Sequence, residues 1–414
     1  MTSEIVVMNR LGIALATDSA ATVMNAGRAK VFHADKLFML SKRQPVGVMT
    51  YNSSSLLGVP WETIIKMYRR QFDQAENVFD TLEEYAKDFL GYLDNNEGLF
   101  PTDVQQRYLQ ELVQDFFEGI RDKIDLDNWE TFRYSGKESA AANNKAAKRI
   151  ILETFTLWNG KQDVNCFDPA IGSHLISELS DKIVKLIGDN FAIWQIDAEA
   201  QNALTQLAMF VVSKEKILHE SLSGIVIAGF GAKQHFPVMQ AFELGEIYKG
   251  RLKYRHVETE RIDTAQSSVV KPFADNEMVD TFLNGISPAF ERRLRRDITK
   301  LFEALPGVVI DGLSGISTKR KKAYTSKAIP IIEDVVIKPL LARIERYKKE
   351  KKLLPIQQAI SFLPKNELAH VAATLVSLNS FQKRMSLGED ETVGGPIDKT
   401  GWHDPITTPA WSAF

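Results

Sequence analysis

Residues 2–22 read TSEIVVMNRLGIALATDSAAT, and this stretch decides the fold class. Two short apolar runs, at residues 5–7 and 13–16, are separated by a Leu-Gly turn, and the second run ends at Asp18. Apolar runs of this length, bounded by Gly, Asp and Ser, are typical of strands joined by tight turns. The start of the chain therefore predicts a sheet of short strands and not an alternation of strands with helices.

The predicted sheet continues beyond this stretch. Residues 36–40 and 46–49 are further apolar runs with turn residues between them. Pro60 suits the first turn of a helix, and the apolar side chains at positions 61, 64, 65 and 68 share one helical face. Strand patterns return between residues 224 and 257, and residues 367–384 carry the clearest amphipathic helix of the chain. This mixture predicts an α+β protein.

Between the strand-rich pieces lie long stretches with helical patterns. The predicted organisation, in chain order, is a core sheet with its first helix at 1–72, a helical insertion at 73–221, a core hairpin at 222–258, a basic helical insertion at 259–364, and a last core helix with a loop and tail at 365–414.

Composition excludes several classes of protein. The chain has 414 residues, of which 44% are hydrophobic and 25% charged, which excludes disordered, collagen-like and disulfide-scaffold proteins. Its 51 basic and 53 acidic side chains give no overall electrostatic reason to expect a nucleic acid or an anionic membrane as partner. The charge is nevertheless divided: residues 71–130 hold 16 acidic and 4 basic side chains (net −12), and residues 291–352 hold 17 basic and 8 acidic (net +9).

Two features predict a cytoplasmic protein. The single cysteine, Cys166, cannot form an internal disulfide, which fits a reducing compartment. The first residues carry a glutamate and no basic side chain before a short apolar run, unlike a signal peptide, and the apolar stretches are shorter than the roughly 20 residues that span a bilayer.

Thr2 is the first residue whose chemistry points to a function. Removal of Met1 would leave a threonine with both a free α-amine and a β-hydroxyl. The hydroxyl is a weak nucleophile until a base accepts its proton, and an α-amine with a pKa of about 7.7–8.0 is such a base within the same residue. This chemistry also requires a cation, a carboxylate that holds the cation, and N–H donors for an oxyanion.

The spacing of Thr2, the two strands and the sequence Thr-Asp-Ser-Ala-Ala-Thr at 17–22 resembles the start of proteasome β-subunits and of the bacterial proteasome-like peptidase. The resemblance aligns the family's nucleophile with Thr2 and its catalytic aspartate with Asp18, without a gap. For the family's catalytic lysine there are two candidates, Lys36 and Lys30. Lys36 is preferred, because residues 46–49 then fall at the right distance to form the next strand.

The same resemblance implies further site residues. Tyr51 and Asn52 stand where the family has paired glycines, so a backbone amide of one of them would be the oxyanion donor. Thr22 matches the position that binds the main chain of the substrate, and Met49 matches a position that shapes an apolar specificity pocket.

The C-terminal part of the chain resembles the family as well. Asp390, in the sequence Asp-Glu-Thr-Val-Gly-Gly, matches an aspartate that supports the nucleophile's amine, although Val393 replaces the family's serine. The polar residues 399–405 then predict either that the family's last strand is absent or that the terminus is unusual.

As a whole, the resemblance implies an N-terminal-nucleophile hydrolase with a four-layer αββα sandwich, enlarged by helical insertions. It implies cleavage of peptide bonds by a threonine peptidase through an acyl-enzyme, with no cofactor and no metal. A homo-oligomer is expected, with a separate ATPase for any unfolding of protein substrates. Two alternatives stay open: a non-catalytic scaffold or assembly subunit, and an amidase for small molecules on the same fold.

Other constellations are weaker. Cys166 and His174 could form a Cys/His hydrolase pair, but no local signature supports one. The glycines at 229 and 231 lack the spacing of a phosphate-binding loop, and the histidines show no metal-ligand spacing. The basic runs lack the interleaved aromatic residues of a nucleic-acid groove, so nucleic acid is not expected as the partner.

Overall fold

A computed structural model describes residues 3–25, 28–75, 78–135, 139–168, 170–219, 221–315, 317–385 and 397–402. The strands, in chain order, are β1 (Ser3–Asn9), β2 (Gly12–Asp18), β3 (Ala20–Asn25), β4 (Arg28–His33), β5 (Leu37–Met39), β6 (Val46–Asn52), β7 (Ser55–Leu56), β8 (Val59–Pro60), β9 (Ser223–Gly229), β10 (Val238–Tyr248), β11 (Arg251–Arg261), β12 (Ser268–Ala274) and β13 (Ile397–Trp402).

The α-helices, in chain order, are α1 (Trp61–Gln74), α2 (Leu82–Leu93), α3 (Thr102–Ser135), α4 (Ala140–Asn159), α5 (Ile171–Phe191), α6 (Ala198–Ser213), α7 (Glu277–Asn284), α8 (Pro288–Asp311), α9 (Thr318–Ile332), α10 (Lys338–Lys348), α11 (Leu354–Ile360) and α12 (Lys365–Met385). Two π-helical segments, Glu333–Ile337 and Lys349–Leu353, flank α10. The protein is thus α+β, and the pairings among the described strands are antiparallel. No helix within the described ranges is long and apolar enough to cross a membrane.

The chain divides into two compact units. The first contains the described residues of 1–33 and 262–402, and the second contains those of 34–261.

In the first unit, four strands form a sheet in the order β12-β1-β2-β13. Alternate residues of β1 and β2 pack against α12 and α7, and this core includes Ile5, Val7 and Ala14. Their sequence neighbours Val6 and Leu15 are equally buried, so both faces of the central strands are covered. Strands β3 and β4 form a separate hairpin.

The last strand of this sheet decides an alternative that the sequence left open. Residues 397–402 form β13, which pairs with β2 and aligns Ile397 with Asp18. The final strand is therefore present in spite of its polar composition. A further strand, β12, lies within the range predicted as the basic helical insertion, so that range is not purely helical.

In the second unit, five strands form a sheet in the order β11-β10-β9-β6-β5. Helices α1 and α2 cover one face of this sheet, and their aromatic side chains pack on Ile225 and Ile227 of β9. The intervening Val226 is also fully buried, although alternation directs it to the other face. This sheet, too, is buried on both faces.

Helices α3 to α6 form a core of their own in the second unit. It is built around large side chains such as Phe117, Trp158 and Phe191, and Tyr248 of β10 packs against it. Residues 188–190, Gly-Asp-Asn, are of types that favour turns, but α5 runs through them to Phe191. This insertion is therefore a helical subdomain with its own hydrophobic centre.

Candidate active site

Asp18 ends β2 and lies against the beginning of β1. The two strands pair with Glu4 opposite Thr17, which brings Asp18 next to Ser3. The Ser3 amide donates to Asp18 Oδ1 over 3.2 Å, and the aspartate side chain is fully buried. A buried carboxylate held by a backbone N–H has a fixed position. The Asp18 carboxylate is therefore held against Ser3, the residue that follows Thr2 in the sequence.

Three of the predicted site residues are described in part or not at all. Thr2 and Asp390 lie outside the described residues. Thr22 lies on β3, with its backbone paired to that of Val31, and its side chain is outside the described part of the protein. The roles assigned to these three residues remain predictions.

Two further polar residues, Glu4 and Thr17, accompany Asp18 and were not predicted. Both are fully buried. The Thr17 hydroxyl donates to the Asp18 carbonyl over 3.0 Å and lies 3.4 Å from Glu4 Oε1. In the sequence, Glu4 stands directly before the apolar run 5–7. Because a carboxylate is almost never fully buried unless it has a partner, a glutamate beside a predicted buried strand indicates a polar partner such as Thr17.

A buried ion pair at the end of β12 is the second feature that was not predicted. Lys383 Nζ lies 2.9 Å from Asp275 Oδ2, and the two side chains are 4% and 7% exposed. Asp275 follows Ala274, which pairs with Ser3, so the pair lies on the β12 side of the start of β1. Asn379 also donates to the Asp275 carbonyl, over 2.7 Å.

The position of Lys383 on its helix was the signal that could have identified it. Lys383 stands in the last turn of α12, where a cation is usually solvated and interacts with the helix dipole. It instead lies on the buried face of α12, seven residues after Val376 and four after Asn379. A lysine at core spacing indicates a buried acidic partner.

Lys36 belongs to the second unit and directly precedes β5. Its side chain is buried, 7% exposed, and its carbonyl accepts the Thr50 amide over 2.9 Å. The pairing of β5 with β6 thus brings Lys36 beside the end of β6, where Met49, Tyr51 and Asn52 follow one another. The alternative, Lys30, lies on β4 opposite Val23.

The direction of the amides along β6 separates the two candidates for the oxyanion donor. The Thr50 amide points to the β5 side, and the Ser53 amide donates to Leu222 on the β9 side. Because N–H groups alternate along a strand, the Tyr51 amide points toward β9 and the Asn52 amide toward the β5 side. The ladder therefore favours Asn52 as the open donor.

The backbone of Asn52 has a conformation that glycine favours. Its φ angle is +65°, in the left-handed region, where asparagine is among the non-glycine residues best tolerated. Asn52 can thus replace a glycine without a change in the course of the chain.

Tyr51 and Met49 face buried surroundings. A Cβ atom added to Gly224 would lie about 2 Å from the Tyr51 ring, so the ring fills the space of the missing side chain on β9. Met49 pairs with Leu37 and is fully buried. The apolar specificity pocket that Met49 would shape remains a prediction.

The competing constellations gain no support. Burial raises the pKa of the Cys166 thiol, which makes it a poor nucleophile. A Cβ atom on Gly231 would meet the backbone of Asp80 and Thr81, so this glycine allows a close approach of two chain segments. Within the described residues, no group of three or more His, Cys, Asp and Glu side chains could hold a metal ion.

The chain matches no protein-family model and no curated protein.

Proposed function

We propose that this protein is an N-terminal-nucleophile hydrolase in which Thr2, freed by removal of Met1, cleaves amide bonds of peptides. The observation that carries the proposal is the bond from the Ser3 amide to Asp18 Oδ1, 3.2 Å long and buried. The gapless resemblance assigns the catalytic aspartate to the position beside the nucleophile. Asp18 matches this assignment, because it accepts the amide of Ser3, the residue next to Thr2.

The finer fold class, a four-layer αββα sandwich, is part of this proposal. Each of the two sheets has helices on one face and fully buried side chains on both. A sheet buried on both faces needs a covering layer on each side. The burial of both faces of each sheet is the observation that supports the proposed sandwich.

In the proposed reaction, Thr2 Oγ attacks the carbonyl carbon of the scissile amide, and the α-amine of Thr2 accepts the hydroxyl proton through a water molecule. The proton passes to the departing amine as the C–N bond breaks, which leaves an ester on Thr2. A water molecule activated by the same α-amine then hydrolyses the ester. The acid product leaves and the threonine hydroxyl is restored.

The other residues of the proposed site stabilise or orient charged groups. The ammonium group of Lys36 would stabilise the alkoxide character of Thr2 Oγ and disfavour protonation of the amine, while Asp18 would orient Lys36. The Asn52 amide would donate to the oxyanion of the tetrahedral intermediate. Asp390 would support the amine. Apart from water and the substrate, every group in this scheme comes from the chain itself.

Two supports favour Lys36 over Lys30 for this role. The Lys36 side chain is buried, and its backbone is held next to the end of β6, where the proposed donor lies. A buried lysine contributes a stronger local field than a solvated one, because the interior screens charge less than water does.

Intact mass of the purified protein tests the first requirement. We expect the mass of the chain without Met1, and hydrolysis of amide-linked fluorogenic peptides that Thr2→Ser retains in part and Thr2→Ala loses. Retention of Met1 would contradict the proposal, because Thr2 would then have no free amine. Loss of Met1 without hydrolysis of any peptide would instead favour a non-catalytic scaffold.

A further inference from the structure

Helices α8 and α9 form a basic hairpin that exposes apolar side chains along both helices. Of the residues in these helices, Pro306 is the only one that is buried. Leu301, Val308 and Ile331 are 64%, 71% and 61% exposed. A helix pair normally buries one apolar stripe, so apolar side chains on the outer surface indicate a binding face.

The end of this hairpin carries cations that pair with no described carboxylate. We call the described residues of 313–324 the hairpin tip. Lys319, Arg320 and Lys322 are exposed there, and none forms an ion pair with a described residue. Leu313 and Tyr324 are exposed beside them, at 49% and 52%. The hairpin tip therefore combines positive charge with apolar surface.

A groove in the second unit has the complementary chemistry. We call it the aromatic groove: it lies beside α1 and α2 and is lined by Tyr68, Phe72, Phe79 and Tyr92, of which Tyr68 and Phe72 are almost fully buried. The centroid of Tyr68 lies 5.5 Å from that of Phe72 and 5.2 Å from that of Tyr92. The groove has a volume of about 590 Å³.

Two carboxylates stand at the edge of the aromatic groove and are fixed in place. Asp88 Oδ2 accepts the Tyr68 hydroxyl over 2.8 Å, and Glu84 Oε2 accepts the Thr81 amide over 3.0 Å. Neither forms an ion pair with a cation in the part of the chain that the structure describes, although Lys87 also lines the groove.

Neighbouring carboxylates differ in this respect. Asp80 pairs with Lys233 over 2.6 Å, and Glu83 pairs with Arg261 over 2.6 Å. These two neighbouring carboxylates thus have cation partners, whereas Glu84 and Asp88 have none among the described residues.

We propose that the hairpin tip of one copy of this chain docks into the aromatic groove of a second copy. The cations of the hairpin tip and Glu84 at the groove are exposed in the single chain, and Asp88, Phe79 and Tyr92 are partly exposed, so these groups are available to another molecule. The segment that contains the groove has a net charge of −12 over residues 71–130, and the segment that contains the hairpin has +9 over residues 291–352. Cations above aromatic rings gain additional attraction when they leave water.

The charges also favour this occupant over its rivals. Contact between two hairpins would bring two segments of net +9 together, which like-charge repulsion opposes. A head-to-tail contact between unlike surfaces joins each copy to the next. It produces a ring if the rotation closes and a filament if it does not.

The test uses two variants that each damage one side of the contact. The groove variant is Glu84→Gln with Asp88→Asn, which removes both charges and keeps the hydrogen-bond acceptors. The hairpin variant is Lys319→Glu with Arg320→Glu and Lys322→Glu. The matched control reverses three exposed lysines of the second unit, Lys161, Lys182 and Lys185, to glutamate.

Sedimentation velocity at low ionic strength gives the readout. We expect the wild type and the control to self-associate, and each of the two variants to do so at least about tenfold more weakly, since two or three ion pairs across the contact are lost. An equimolar mixture of the two variants should form a 1:1 complex. The groove variant supplies an intact hairpin tip and the hairpin variant supplies an intact groove, so one contact forms per pair.

Three results would overturn the proposal. A wild type that does not self-associate has no such contact. A groove variant that assembles like the wild type would indicate contact between two hairpins. Wild-type protein that stays unassembled but binds anionic vesicles or duplex DNA through the hairpin would assign this surface to a membrane or a nucleic acid.

Discussion

Asp18 is the residue on which the proposed chemistry depends most directly. Its carboxylate is buried and accepts the Ser3 amide. We predict that Asp18→Asn lowers kcat for peptide hydrolysis by about 100-fold or more, because the negative charge that orients the catalytic cation is lost. The melting temperature should change little, because the amide oxygen of asparagine still accepts the Ser3 N–H.

Asp263 offers a matched control for this substitution. It also accepts backbone amides, from Ala265 and Gln266, but on an exposed turn. We expect Asp263→Asn to retain wild-type activity. Equal losses of activity in the two variants would contradict a specific role for Asp18.

Asn52 allows a second prediction at this scale. Its left-handed backbone accepts glycine without strain and opposes β-branched residues. Asn52→Gly should keep both stability and activity, whereas Asn52→Val should lower the free energy of unfolding by about 1–2 kcal/mol. Urea denaturation measures the free energy of unfolding, and a separate assay of peptide hydrolysis measures the activity. A valine variant as stable as the glycine variant would refute the proposed conformation.

Single residues also mark the limit of what the sequence could predict. Asp18 was predicted because turn chemistry and a gapless motif pointed to the same position. Glu4 and Lys383 were not, because an isolated charged residue reads by default as a solvated one. Their burial follows from partners far apart in sequence, such as Asp275 for Lys383.

At the scale of elements, edge strands explain what the sequence did not predict. Strand β12 contains Pro272 and β13 contains polar residues, so neither has the apolar alternation of a strand. Both lie at the edges of the sheet β12-β1-β2-β13. Edge strands tolerate proline and polar residues, because one side of the strand needs no partner. The central strands β1, β2, β6 and β9 were predicted from their apolar runs.

The base of the basic hairpin supplies a prediction about an element. Glu291 of α8 contacts Lys348 of α10 over 2.7 Å and Arg295 over 2.6 Å. The bond to Lys348 is the largest cause that lowers the pKa of Glu291 to about 2. Because the pKa in the folded chain lies below the usual value, the stabilisation is present above about pH 4.5 and is lost as the pH falls toward 2.

We predict that Glu291→Gln weakens hydrogen-exchange protection at the start of α8 at pH 7 by a factor equivalent to about 2 kcal/mol. The difference from wild type should shrink as the pH falls below 4.5. Glu303→Gln, on the same helix and exposed, is the control. A difference that stays constant between pH 7 and pH 3 would show that the charge of Glu291 does not stabilise the hairpin.

At the scale of the whole molecule, the total charge is nearly neutral but is divided between two oppositely charged helical segments. The total of 51 basic and 53 acidic side chains gives no indication of partners, but the division between −12 and +9 carries the proposed contact between copies. Counting acidic and basic residues in the sequence is enough to show that division. The sequence did not predict the aromatic groove, because the groove is lined by side chains whose spacing is that of ordinary core residues.

The central claim is that Thr2 is the nucleophile, and covalent labelling tests it most directly. The protein is treated with an electrophilic peptide that reacts with an activated hydroxyl, digested, and mapped by mass spectrometry. We predict one adduct, on the peptide that begins with Thr2, in the wild type and none in Thr2→Ala. An adduct at another residue such as Cys166, or no adduct in the wild type, would contradict the claim.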